Sequence, residues 1–128
     1  MHPIQSVAIV GAGNMGSGIA QKSAQEEFDV QMVDREQQWV DRGQGIISDF
    51  LSEAVERRIF SPQQVEEIKN RITGVVGVDN TASDTDLVIE AVFEDFDIKT
   101  EVFNTLDRVC GHETILASNT SVSYTHLR

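Results

Sequence analysis

Ser6-Val7-Ala8-Ile9-Val10-Gly11-Ala12-Gly13-Asn14-Met15-Gly16 is the stretch whose reading decides the fold. A short apolar run, Val7 to Val10, stops at a glycine, which suits a strand buried on both faces. Gly11, Gly13 and Gly16 then make the spacing G-x-G-x-x-G, and Ser17 to Gln25 continues with small, helix-compatible residues. The spacing alone is weak, because glycines also crowd ordinary turns. Its place between a strand and a helix strengthens it. There the first glycine permits a tight turn, the second lets backbone approach a pyrophosphate, and the third lets the helix pack close to the strand. The helix N-terminus adds unpaired N–H groups and about half a positive charge, both favourable to an anion.

The next acidic strand end supports the same reading. Val30-Gln31-Met32-Val33 reads as a second strand and stops at Asp34, 18 residues after Gly16. A carboxylate there can accept hydrogen bonds from both ribose hydroxyls of an adenosine, each worth ~1.5–3 kcal/mol. It would repel a 2′-phosphate, which favours NAD over NADP; the adjacent Arg35 softens that repulsion. FAD remains open on spacing alone, and so does a plain glycine turn with Asp34 as a solvated strand-end residue.

Working outward, strand-like and helix-like segments alternate. Glu36 to Ile59 carries Val40, Ile47, Leu51, Ala54 and Val55 at roughly helical spacing, with Gly43 and Gly45 making the helix signal weaker in its first half. Ser61-Pro62-Gln63-Gln64 reads as a capped helix start, and that helix is expected to end near Asn70. Ile72–Val78, Leu87–Val92 and Thr114–Ser118 read as strands, and Phe96–Val109 as a helix. Such alternation predicts an α/β fold, a Rossmann-type doubly wound parallel sheet, with ligands at the carboxyl ends of its strands. Gly11, Asp34, Val92 and Ser118 all fall there. Trp39, Phe50 and Phe60 are expected to pack on helix faces, Arg57 and Arg58 to form a solvated face, and Cys110 to be a small, at least half-buried residue.

Composition bounds the function. The chain has 128 residues, enough for one domain, with 40% hydrophobic and 24% charged residues and a net charge of −11. That acidity argues against a nucleic-acid or anionic-membrane partner. One cysteine makes no intrachain disulfide, and His2, His112 and His126 have no metal-ligand spacing, so no metal is expected. No apolar run approaches the ~18 residues of a membrane span, and Met1 to Gln5 lacks the pattern of a signal peptide. A cytoplasmic location is the expectation.

With these residues in view, the chain resembles the NAD-binding domain of the 3-hydroxyacyl-CoA dehydrogenases from about Val7 to Ser121. Val7 to Gln21 is similar to that family's opening loop, Asp86-Leu87-Val88-Ile89-Glu90-Ala91-Val92-Phe93-Glu94 to its second marker, and Thr114-Ile115-Leu116-Ala117-Ser118-Asn119-Thr120-Ser121 to its third. The resemblance implies oxidation of an L-3-hydroxyacyl-CoA by NAD, a step of fatty-acid β-oxidation or butanoate metabolism. It implies that Gly11, Gly13, Asn14, Met15 and Gly16 hold the dinucleotide, with Met15 under the pyrophosphate and Asp34 on the adenine ribose. It implies that Ala91, Val92 and Phe93 line the strand end, that Glu94 and Lys99 contact the cofactor near its nicotinamide half, and that Asn119 and Ser121 belong to the active-site turn. On residues alone, Glu94 and Lys99 read as a surface pair and 118–121 as an ordinary turn. The resemblance also leaves a CoA-phosphate contact open to Arg57 and Arg58 beside the solvated-face reading, since the family uses basic residues on this long helix, and Phe50 stands where some members have a polar CoA contact.

The same resemblance implies a histidine base in a Gly-x-His-Phe-Phe-like segment, a glutamate that orients it, and a helical domain that forms a homodimer and covers the acyl-CoA substrate. None of these is in the chain, and His126 does not match the histidine's context. The sheet is therefore expected to be incomplete at its C-terminal end. Residues 1–121 are expected to form the NAD-binding domain. Residues 122–128, Val-Ser-Tyr-Thr-His-Leu-Arg, depart from the family and read as one frame of a transposon-end sequencing adapter, a non-native tail. A non-catalytic NAD-binding module, or a related hydroxy-acid or carnitine dehydrogenase, stays open beside this reading.

Overall fold

The computed structural model of the chain describes residues 3–92 and 96–118. Five parallel strands form one sheet in the order β3-β2-β1-β4-β5. They are β1 (Ser6–Val10), β2 (Asp29–Asp34), β3 (Ile72–Val76), β4 (Leu87–Glu90) and β5 (Ile115–Ser118). The helices are α1 (Asn14–Gln25), α2 (Gln37–Glu56), α3 (Pro62–Asn70) and α4 (Phe96–Val109), with a short 3-10 turn at Val78–Asn80. The chain runs outward from β1 to β3, then crosses back to β4 and β5 on the other side of β1. The gap between β1 and β4 is the switch point at which open α/β sheets bind ligands.

Central strands buried on both faces produce two cores. On one face Val7, Ile9, Val30 and Met32 pack with Ala20 and Ala24 of α1, Ile47 and Leu51 of α2, and Val65 and Ile68 of α3. On the other, Ala8, Val10, Val33 and Val88 pack with Val102 and Leu106 of α4. Helices on both faces make the sheet doubly wound. Among the described residues β5 is an edge strand, and its Ile115 is 53% exposed.

Local chemistry accounts for the element ends. The Ser61 hydroxyl accepts the Gln64 N–H at 3.1 Å, and the Gln64 side chain accepts the Ser61 N–H at 2.8 Å, a complete capping box with Pro62 just inside the helix. β3 stops at Val76, where Gly77 takes φ 93. β4 stops at Glu90, two residues short of the expected Val92, because the Val92 N–H turns back onto the Glu90 carboxylate. α1 begins at Asn14 rather than Ser17, so Gly16 lies inside the helix.

Two expectations about α2 need correction. Gly43 does not interrupt the helix, which runs unbroken through it: a Cβ there would stand 2.7 Å from the Ala12 carbonyl, so a glycine is what lets α2 lie against the loop after β1. Trp39 and Phe50 join neither core; they are 41% and 52% exposed, because the stripe of Val40, Ile47, Leu51 and Ala54 is the one that faces inward. Phe60 does pack, against the first core. Arg57 pairs with Glu53 at 2.7 Å on an exposed face, a contact worth little. Cys110 is half-buried, and burial pushes its thiol pKa up, which disfavours a reactive thiolate.

Candidate functional site

Strand register gathers the sequence-predicted residues. Val10 pairs with Val33 and with Glu90, and Glu90 pairs with Ser118, so the carboxyl ends of β1, β2, β4 and β5 lie along one rim. The glycine loop leaves this rim between β1 and α1 and is pinned on several sides. Its Gly11 N–H donates to the Val33 carbonyl at 2.7 Å, and its Ala12 N–H donates to Asp34 Oδ2 at 2.9 Å. The buried Ser17 hydroxyl donates to the Gly13 carbonyl at 2.7 Å.

The three glycines differ in what they do. Gly11 has φ 114, and a Cβ there would lie 2.7 Å from the Ala91 carbonyl, so it serves both a left-handed backbone and a close approach to β4. A Cβ on Gly16 would meet the Gly11 carbonyl at 1.7 Å, so the first turn of α1 can lie against the loop only with a glycine there. Gly13 is exposed with φ −75, and a Cβ on it would meet nothing within 4 Å. The fold does not demand a glycine at Gly13, whereas a ligand lying against the loop backbone would.

The ground around Gly13 suits an anion. Gly13 caps α1 without any side-chain hydrogen bond, and the first turn carries no acidic residue. Backbone N–H groups and the helix dipole are therefore directed at the open side of the loop. Asn14 is exposed there, and Met15 is 60% exposed. Asp34 is half-buried beside the loop, its Oδ2 on Ala12 N–H and its Oδ1 on Arg35 N–H at 2.7 Å. These two backbone donors orient the carboxylate, and each oxygen retains accepting capacity for a hydroxyl. The residues present fit a dinucleotide with an unphosphorylated ribose.

The β4 end holds an arrangement that the sequence reading missed. Glu90 is 0% exposed, yet it is charged and sits among apolar strand residues. Its Oε2 accepts from Lys99 Nζ at 3.0 Å and from Val92 N–H at 2.7 Å, and its Oε1 accepts from the Ser118 hydroxyl at 2.6 Å. Lys99, 1% exposed, also donates to the Val92 carbonyl at 3.3 Å. The surface-pair reading of Lys99 is thereby corrected: it lies inside, on Glu90. A glutamate in an apolar strand was the available signal, since such a charge is buried only with a partner. Ala91 and Val92 are half-buried at this rim, and Phe93, Glu94, Asn119, Ser121 and the tail at 122–128 lie outside the described residues. Among the described residues no cluster of His, Cys, Asp and Glu could hold a metal ion, and no helix is long and apolar enough to cross a membrane.

Known proteins resemble this chain in sequence and fold. The family described as "3-hydroxyacyl-CoA dehydrogenase, NAD binding domain" matches residues 6–126. The chain is 40% identical over 118 residues to a Bacillus subtilis (strain 168) protein named "Probable 3-hydroxybutyryl-CoA dehydrogenase", covering 92% of this chain and 41% of that one. It is 36% identical over 115 residues to the 3-hydroxybutyryl-CoA dehydrogenase of Clostridioides difficile, covering 90% and 41%. The crystal structure of an (S)-3-hydroxybutyryl-CoA dehydrogenase from Ralstonia eutropha superposes with a TM-score of 0.92 at 36% identity, over 98% of this chain and 44% of that one. The chain thus spans about two-fifths of the length of these relatives, and NAD is the cofactor of the matched domain. An uncapped, open glycine loop beside an oriented carboxylate and a match over residues 6–126 agree: the chain belongs to the NAD-binding domain family of the 3-hydroxyacyl-CoA dehydrogenases.

Proposed function

We propose that the chain is the dinucleotide-binding portion of an L-3-hydroxyacyl-CoA dehydrogenase. The observation that carries this is the glycine loop with its oriented carboxylate: an exposed Gly13 backing onto open space, with Asp34 held beside it by the Ala12 N–H. Gly11, Gly13, Asn14, Met15 and Gly16 would hold the pyrophosphate. Asp34 would accept the hydroxyls of the adenine ribose and disfavour a 2′-phosphate. Ala91, Val92, Phe93, Glu94 and Lys99 would border the nicotinamide half, and Asn119 and Ser121 the reacting oxygen. When bound, NAD supplies the hydride acceptor; the residues of this chain bind and orient it.

The acyl-CoA substrate belongs to the same proposal, supported by the names of the relatives; a homodimer formed through a helical domain is added from the resemblance alone, and a cytoplasmic location from the single cysteine and the N-terminal residues. Titration of the chain with NADH and NADPH tests the binding reading. Saturable NADH binding with a clear preference over NADPH is expected, and equal affinities would overturn the role of Asp34. The chain alone is expected not to oxidise NADH with acetoacetyl-CoA, because it carries no match for the histidine base. Turnover by these 128 residues would overturn that assignment.

A further inference from the structure

The buried carboxylate of Glu90 joins three separate segments. It sits at the end of β4, takes its own Val92 N–H, takes the Lys99 ammonium from the first turns of α4, and takes the Ser118 hydroxyl from the end of β5. The Val92 backbone is gripped on both sides of its Cα, its N–H by Glu90 and its carbonyl by Lys99. On the other side the same turn touches the glycine loop, since a Cβ on Gly11 would strike the Ala91 carbonyl. The Ala91–Val92 turn is thus held between the loop and a buried ion pair.

An ion pair without access to water is at best about as stabilising as well-packed apolar residues of the same volume. What apolar residues cannot supply is direction. Several charge-assisted hydrogen bonds in a dry interior fix a peptide plane and a hydroxyl more tightly than packing does. Rossmann sheets bind a dinucleotide as two halves on either side of the switch point. Asp34 and the glycine loop lie on the β1–β2 side, and Glu90 lies on the β4–β5 side.

We propose that Glu90 is a positioning residue for the nicotinamide half of the site: its carboxylate sets the Ala91–Val92 turn and the end of β5 without touching the dinucleotide. This rests on the NAD-binding reading above. The test is a pair of titrations, NADH and ADP, on the chain and on Glu90→Gln, with thermal melting alongside. Lys99 is retained in that variant, so any direct contact of its ammonium with the cofactor is not deleted. The expected result is a loss of about tenfold or more in NADH affinity, with ADP affinity held within about twofold. NADH and ADP weakening by the same factor, or neither weakening while the melting temperature falls, would make Glu90 a fold residue only and overturn the proposal. If Glu90→Gln does not fold, Ser118→Ala keeps both charges and is read in the same way. An unchanged NADH-to-ADP ratio there overturns the proposal too. Binding of neither ligand by the unaltered chain would bring down the NAD-binding reading itself, an outcome distinct from a failure of Glu90 alone.

Discussion

The carboxyl ends of β1 and β4 lie side by side but are built by opposite means. The β1 end is made of backbone. Its glycines remove side chains, its helix N-terminus lacks a side-chain cap, and Gly13 backs onto open space. The β4 end is made of side chains. Glu90 and Lys99 are buried, and their hydrogen bonds close the site from within. The open end leaves room for a ligand at little cost to the fold, because among the described residues no buried side-chain nitrogen or oxygen lacks a hydrogen-bond partner. The closed end is committed to the fold, because neither charge can lose its partner.

That contrast predicts where substitutions harm stability and where they harm binding. The largest effect is expected from Glu90→Ala, which leaves the Lys99 ammonium buried and unpaired, at about 3–5 kcal/mol of stability in urea denaturation. The double variant Glu90→Leu/Lys99→Met removes both charges and is expected to lose far less; a loss as great as in the single variant would break the ion-pair account. Next comes Gly13→Val. With φ −75 and open space around it, the fold is expected to change by less than about 1 kcal/mol. NADH binding should nevertheless weaken by about a hundredfold or more, as calorimetry would read it.

Asp34→Ala is expected to weaken NADH binding by about 1.5–3 kcal/mol and to narrow the preference over NADPH. Unchanged affinity would remove the ribose from Asp34. The smallest effect is a control remote from both ends. Ser61→Ala breaks the capping box of α3 and should lower stability by about 1 kcal/mol while leaving NADH affinity untouched. A change of affinity there would blur the division between fold and site.

Much of this was legible in the linear sequence. The parallel α/β fold, the order of its elements, the capping box at Ser61 and the glycine loop with Asp34 all rest on local signals, namely apolar periodicity, glycine spacing and a cap residue within a few positions. Local signals of that kind survive without knowledge of what lies across the sheet. The role of Gly43 did not, because the reason for it is Ala12, which only the docking of α2 brings near. Nor did the exposure of Trp39 and Phe50, which depends on which stripe of α2 turns inward.

Lys99 shows the limit most plainly. Its neighbours in sequence suggest a charged helix surface, but parallel pairing of β4 with β5 and the return of α4 over them place it on Glu90, with Ser118 on the opposite carboxylate oxygen. The sequence by itself determined the strands, the helices and the glycine loop between β1 and α1, since those follow from what each short segment prefers. Only the tertiary structure decided which charges meet in the dark between the strand ends, because a buried ion pair is set by packing across distant segments and leaves no period or spacing to read.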